Sequence, residues 1–194
     1  MRTIVRESSV ANGVGAASIV GMITIRPATW TDVETLRSLA AAIWREYYPA
    51  ILAREQIEYM LDLMYSPEAI HREMAAGVTW ELVSAEAPVG HLAFTLDQAA
   101  GTLTLHKLYL VPRLHGQGLG RRLLDHVKDV ARGAGAQTIR LQVNKRNTRA
   151  IRAYARAGFH VTGAIVAAIG GGFVMDDFVM AWEPVHTEEK GRVT

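Results

Sequence analysis

Leu105-His106-Lys107-Leu108-Tyr109-Leu110-Val111-Pro112-Arg113-Leu114-His115-Gly116-Gln117-Gly118-Leu119-Gly120-Arg121-Arg122-Leu123-Leu124 is the most informative stretch of this 194-residue chain. It begins as a strand and ends as a helix that carries Leu119, Leu123, Val127, Val130 and Ala131 on one face. Gly116, Gly118 and Gly120 strip side chains from the turn between the two. Backbone N–H groups can then converge at a helix N-terminus, where partial positive charge suits a pyrophosphate. Arg121 and Arg122 add full charges nearby. A Walker loop needs Lys and then Ser or Thr after its last glycine, which Arg121-Arg122 do not supply. A dinucleotide fingerprint needs Gly-x-Gly-x-x-Gly and an acidic residue about twenty positions on, and neither is present. The glycines alone leave two readings, a coenzyme A loop and a ligand-free strand-to-helix turn.

Working outward, the chain before this stretch reads as strand, helices, then a meander. Thr24 to Arg26 is a short strand ended by Pro27. Thr31-Asp32-Val33-Glu34 has the form of a capping box, with Thr31 as cap. Val33, Leu36, Ala40, Ile43, Trp44 and Tyr47 then recur at helical spacing up to Pro49. A second helix carries Ile57, Met60, Leu61 and Met64, and a third starts at Ser66-Pro67 and closes at Gly77. Thr79–Ser84, Val89–Leu96 and Thr102–Leu110 read as antiparallel strands. After the glycine loop and its helix come a strand at Thr138–Val143, a helix at Asn147–Ala157, and strands at Phe159–Ile169 and Phe173–Trp182 around Gly170-Gly171-Gly172. A meander followed by strand, helix, strand predicts an α/β fold: a mixed, mostly antiparallel sheet flanked by helices, with one parallel crossover.

A chain of this length suits one domain, expected at 22–184, with an extension at 1–21 rich in Ala, Gly, Ser and Val and a polar tail at 185–194. With no cysteine there is no disulfide, no thiolate nucleophile and no Cys-bound zinc, and a cytoplasmic location fits. No stretch approaches the ~20 apolar residues of a membrane span, and Glu7, Asn12 and Gly13 interrupt any signal-like run. The net charge of +2 is spread along the chain, unlike the clustered Lys and Arg of a nucleic-acid binder. His71, His91, His115, His126 and His160 are too scattered for a metal site. Lys145, Arg146, Arg149 and Arg152 form the one dense basic stretch, and Arg152 reads as part of a solvated face.

His115-Gly116-Gln117-Gly118-Leu119-Gly120 resembles the acetyl-CoA motif of the GNAT N-acetyltransferase superfamily, Gln/Arg-x-x-Gly-x-Gly/Ala, with His115 departing at the first position. Asn147, Ala150, Tyr154, Gly158 and Phe159 are similar to that family's second hallmark, in the proper order. The resemblance covers about Thr24 to Pro184. It implies acetyl transfer from acetyl-CoA to a primary amine of a small molecule or peptide, with no metal, by direct attack in a ternary complex. It also implies roles. Backbone groups of Leu108, Tyr109 and Leu110 would hold the acetyl and pantetheine end. The segment Gly116, Gln117, Gly118, Leu119, Gly120, Arg121 would hold the pyrophosphate, and Asn147 the pantetheine arm. Tyr154 would stand near the sulfur as general acid.

An alkylamine of pKa ~10.4 must lose a proton before it attacks, and the departing thiolate benefits from one. The carboxylate positions that some relatives use as base are Thr104 and Gln142 here. His106, on the strand entering the site, has a reference pKa of about 6.5 that suits proton transfer. Asp176 and Asp177 interrupt the last strand's apolar run, and Glu46 and Tyr47 end the first helix; carboxylates among aromatics would suit a cationic acceptor. The spread of these motifs is loosely similar to the polyamine acetyltransferase branch. The absent Glu residues keep a second reading open, a non-catalytic acyl-CoA-binding module on the same fold. A homodimer is left open as well.

Overall fold

The structure is a computed structural model and describes residues 23–184, so the expected extension 1–21 and tail 185–194 lie outside the described residues. Strand β1 (Thr24–Pro27) leads into helices α1 (Val33–Tyr47), α2 (Arg54–Tyr65) and α3 (Pro67–Ala75). Strands β2 (Thr79–Ser84), β3 (Pro88–Asp97) and β4 (Thr102–Leu110) form the meander. Helix α4 (Leu119–Gly133), strand β5 (Thr138–Asn144), helix α5 (Thr148–Arg156) and strands β6 (His160–Gly170) and β7 (Phe173–Trp182) complete the fold. One seven-stranded sheet runs β1-β2-β3-β4-β5-β7-β6, antiparallel except between β4 and β5.

The start of α1 differs from the expected capping box. A short 3-10 turn, Trp30–Asp32, precedes α1, and the cap is Thr29, not Thr31. The Asp32 carboxylate accepts from the Thr29 N–H at 2.8 Å and from both guanidinium nitrogens of Arg26 at 2.8 and 2.6 Å. Those bonds hold its pKa far below the usual carboxylate range, the Arg26 contact contributing most. Asp32 therefore reaches back to the cap, as Glu34 would in a box on Thr31, because it can satisfy β1 and the helix start together.

The core is continuous. Helix α4 buries Leu119, Leu123, Leu124, Val127 and Ala131 against it. Each of the larger of these side chains contributes roughly 1.5–3 kcal/mol by leaving water. This firm packing fixes the helix whose first turn faces the functional cleft. On α1, Trp44 packs 4.4 Å from the Tyr48 ring and 5.6 Å from the Tyr109 ring. His91 is completely buried beside them, stacked on Trp80 and 3.1 Å from the Tyr65 hydroxyl. Burial and the nearby Lys107 charge pull its pKa down to about 3, so it is a neutral core histidine. Lys107 is itself buried and ion-paired with Glu73 at 2.8 Å.

Two irregularities shape the site. Ala93 pairs with Lys107 and Phe94 with Leu105, so His106 is the extra residue of a β-bulge in β4. The β6–β7 turn is made by Gly170, Gly171 and Gly172, all with positive φ. A Cβ on Gly170 would lie 2.3 Å from the Tyr59 hydroxyl, which donates to the Ile169 carbonyl at 2.6 Å. With Gln56 Nε2 donating to the Val174 carbonyl at 3.0 Å, this contact ties α2 to the hairpin. Among the described residues no helix is long and apolar enough to cross a membrane.

Candidate active site

β4 and β5 pair only from Thr102–Thr138 to Leu105–Leu141, yet β4 continues to Leu110 and β5 to Asn144. Beyond Leu105 the two strands part, β4 staying with β3 and β5 with β7. The gap opens a cavity of about 880 Å3 walled by α1, α2, β4, the glycine loop, β5, α5 and β7. The site exists because a parallel pair is abandoned half-way, and the bulge at His106 turns β4 at that place.

At one end lies the glycine loop. Gly118 has φ +84 and caps α4, whose first bond runs from the Arg122 N–H to the Gly118 carbonyl at 3.1 Å. The N–H groups of Leu119, Gly120 and Arg121 precede that bond as first-turn donors, with the positive end of the helix behind them. A Cβ built on Gly118 would meet no atom within 4 Å, and one on Gly120 only the tip of Leu110 at 4.0 Å. Bare backbone thus faces open space, which fits the pyrophosphate of an acyl-CoA. Arg121, Arg149 and Arg156 line the same region, and Arg149 Nη2 lies 3.9 Å from the place of a Gly116 Cβ. The other loop residues have structural tasks. His115 Nε2 contacts the Leu110 carbonyl at 3.0 Å and its ring lies 5.4 Å from Tyr47, tying the loop to β4 and α1. Gln117 Nε2 donates to the Arg113 carbonyl at 2.9 Å. Leu119 is buried and anchors the first turn.

Across the cleft, Asn147 caps α5. Its Oδ1 accepts from the Ala150 N–H at 3.2 Å and from the Tyr47 hydroxyl at 2.8 Å, so the acceptor half of this amide is taken up within the protein. Tyr154, two turns along α5, lines the cavity 5.8 Å from the Phe159 ring. Burial, and then the neighbouring Tyr48, push its pKa up, so the phenol is protonated throughout the neutral range. Leu108, Tyr109 and Leu110 also line the cavity. Tyr109 sends its ring to the α1 aromatics, whereas Leu110 points to Gly120.

The remaining wall is formed by α2 and β7. Met60 and Met64 face the cavity from α2, and Met175, Asp177 and Val179 alternate along β7. Asp177 is only 3% exposed, and burial raises its pKa, with a further push from Asp176. Asp176 is not part of this wall. It lies on the opposite face of β7, exposed and ion-paired with Lys145. Adjacent strand residues point to opposite faces, so two consecutive aspartates cannot both enter one cleft. Glu46 is exposed and does not line the cavity, though its charge is felt at His115. His106 lines the cavity with Nε2 3.0 Å from the Thr95 hydroxyl; burial, then Lys107, hold its pKa below the usual value. Thr104 and Gln142 line the cavity without a carboxylate. Sequence reasoning missed the α2 methionines, Arg140 and Arg156. The i, i+4 spacing of Met60 and Met64 marks a helix face, but it cannot say what that face covers. Arg152 bonds back to Thr148 within its own helix, as a solvated residue does.

The profile of the acetyltransferase (GNAT) family matches residues 33–159. An uncharacterized N-acetyltransferase of Mycobacterium tuberculosis is 30% identical over 157 residues, covering 80% of this chain and 99% of the relative. The spermidine N(1)-acetyltransferase of Thermoplasma acidophilum is 28% identical over 143 residues, 72% of this chain and 89% of its own length. Among solved structures, the PaiA N-acetyltransferase of Thermoplasma acidophilum in complex with coenzyme A superposes with a TM-score of 0.67 at 24% identity, covering 84% of this chain and 99% of that one. This last likeness is one of fold.

Proposed function

Since the chain belongs to the GNAT acetyltransferase family, we propose that it moves an acetyl group from acetyl-CoA to a primary amine of a small molecule or peptide, by direct attack with both substrates bound. The observation that carries this reading is the cleft left by β4 and β5, with the bare glycine loop at one end and a phenol and a carboxylate along its walls. No cysteine is available to carry the acetyl group, which favours direct transfer over an acyl-enzyme.

In this proposal the amides of Gly116, Gln117, Gly118, Leu119, Gly120 and Arg121 hold the pyrophosphate, while Arg121 and Arg149 add charge. Backbone groups of Leu108, Tyr109 and Leu110 hold the acetyl and pantetheine end. Asn147, with Oδ1 engaged by Tyr47 and α5, turns its amide N–H2 toward the pantetheine arm. Tyr154 donates to the sulfur as the carbon–sulfur bond breaks. A phenol of raised pKa is too weak an acid to give its proton away in advance, so it acts only as negative charge develops. His106, largely neutral near pH 7, can receive a proton that the reaction releases. Asp177, with Tyr47 at the α1 end, receives a cationic acceptor. Asp176 and Glu46, outside the cavity, can act only through long-range charge. The protein works in the cytoplasm and is independent of nucleic acid and membrane.

A thiol-release assay against spermidine, free amino acids, aminoglycosides and a lysyl peptide tests the proposal. Amine-dependent release is expected. Tight acetyl-CoA binding without turnover on any amine would contradict it and favour a binding module.

A further inference from the structure

Asp177 is the one acidic side chain among the described residues lining the cavity; the basic liners are four arginines, with the imidazoles of His106 and His115 beside them. It is 3% exposed, and among the described residues its carboxylate has no hydrogen-bond partner and no ion pair. Its oxygens are not among the sealed, unpartnered atoms of the fold, so the carboxylate opens onto the cavity, partly desolvated and with no partner in the protein, as a group kept for a ligand would be. Its surroundings are few. On β5, Asn144 stands opposite it, and on β6, Ile165. From the end of α1 the Tyr48 hydroxyl, with its pKa pushed up to about 12, faces it as a neutral group. Lys145 and Asp176 act on it through charge, but they are paired with each other. No neighbour supplies a permanent counter-ion in contact. A cation or a proton that arrives with the substrate can.

We propose that Asp177 is the general base of the reaction, taking a proton from the acceptor's ammonium group as the nitrogen attacks the acetyl thioester. This rests on the acetyltransfer reading above. The step balances as follows. One N–H bond of R–NH3+ breaks and its proton goes to the Asp177 carboxylate. The freed lone pair forms the N–C bond, and the carbonyl π pair moves to oxygen. When that pair returns, the C–S bond breaks and its electrons leave on sulfur, which takes a proton from Tyr154. The nitrogen's second surplus proton restores Tyr154, and Asp177 returns its proton to solvent. The products are the amide, free coenzyme A and one proton. Burial favours this role because a carboxylate of raised pKa lies closer to the ammonium it must deprotonate. It also explains how the site manages with Thr104 and Gln142 in place of carboxylates.

The test compares wild type, Asp177→Asn and Asp177→Glu with spermidine, phenethylamine and a lysyl peptide from about pH 4.5 to 9.5, using whichever is turned over. Wild-type kcat/KM should be level across neutral pH and fall on the acid side above the ordinary carboxylate range, a readout that needs no variant. Asp177→Asn should lose about 10²-fold or more at pH 7. Its kcat/KM should then climb about tenfold per pH unit, because only the free amine reacts. Asp177→Glu should recover part of the rate and the level profile, with acetyl-CoA affinity unchanged in both variants. An anchoring role alone would raise KM and leave the profile's shape intact, and that result would overturn the proposal. Turnover by wild type with Asp177→Asn unimpaired would sink Asp177 as base and leave acetyl transfer standing. Wild type binding acetyl-CoA but acetylating no amine would overturn both.

Discussion

Gly120→Val separates ligand binding from folding. Gly118 is the less useful target, because its φ of +84 would strain any side chain by about 1–2 kcal/mol and confuse the two effects. Gly120 has ordinary helical geometry, and a Cβ there meets only the Leu110 tip at 4.0 Å. Valine is favoured over glycine within a helix by up to about 0.5 kcal/mol, which offsets the small adjustment of Leu110. Stability should therefore change little, and Tm by less than about 2 °C. The valine methyls project into the cavity where the first-turn amides face the coenzyme. Each amide–phosphate bond blocked costs about 1.5–3 kcal/mol, or roughly 10- to 100-fold in affinity. Calorimetric titration with acetyl-CoA, beside a thermal melt of the free protein, reads both quantities. A folded variant that binds acetyl-CoA as tightly as wild type would refute the placement of the pyrophosphate.

Four further outcomes are expected. Tyr154→Phe keeps the ring against Phe159 and removes the donor, so kcat should fall by about 10²-fold while acetyl-CoA affinity stays; a fall below about threefold in single-turnover rates would make Tyr154 a packing residue. Asp176→Asn should leave acceptor kinetics unchanged within about twofold, since that carboxylate faces Lys145; a large KM effect would show that its charge reaches the cleft. Gly170→Ala should lower stability by about 1–3 kcal/mol in urea titration, because its Cβ displaces the Tyr59 hydroxyl from Ile169 at a positive-φ position. His126 donates to Glu81 at 2.8 Å and its pKa is raised by that bond, so the pair's contribution is full below pH ~6.5 and lost as pH rises through the folded value. The Tm difference between wild type and His126→Gln should accordingly shrink from pH 6 to pH 8.5; a constant difference would exclude the linkage.

Most of the architecture was readable because its signals are local. Alternation over Thr138–Val143, the apolar face of α4 and the Gly-rich turns each follow from a few neighbouring residues, and the elements appear where those patterns place them. The cap of α1 was misread because Asp32 serves Arg26 of a different element, a tertiary demand that a four-residue motif does not contain. The same reason separates Asp176 from Asp177. Their adjacency suggested one acidic cluster, and only the strand's alternation, with β5 beside it, assigns them to opposite faces. The α2 wall was not legible at all. In the sequence Met60 and Met64 mark one face of a helix and nothing more, and that face walls the cavity as α2 is held there by Tyr59 and Gln56, which bind a hairpin more than 100 residues away.

The most direct test of the central claim is a two-substrate initial-rate study, with the acetylated amine identified by mass spectrometry. Acetyl-CoA and the best acceptor from the thiol-release panel are varied against each other. Direct attack within a ternary complex predicts intersecting double-reciprocal lines and no acetyl group left on the protein. Parallel lines, or an acetylated enzyme that forms with acetyl-CoA alone and then passes its acetyl group to amine, would contradict the account.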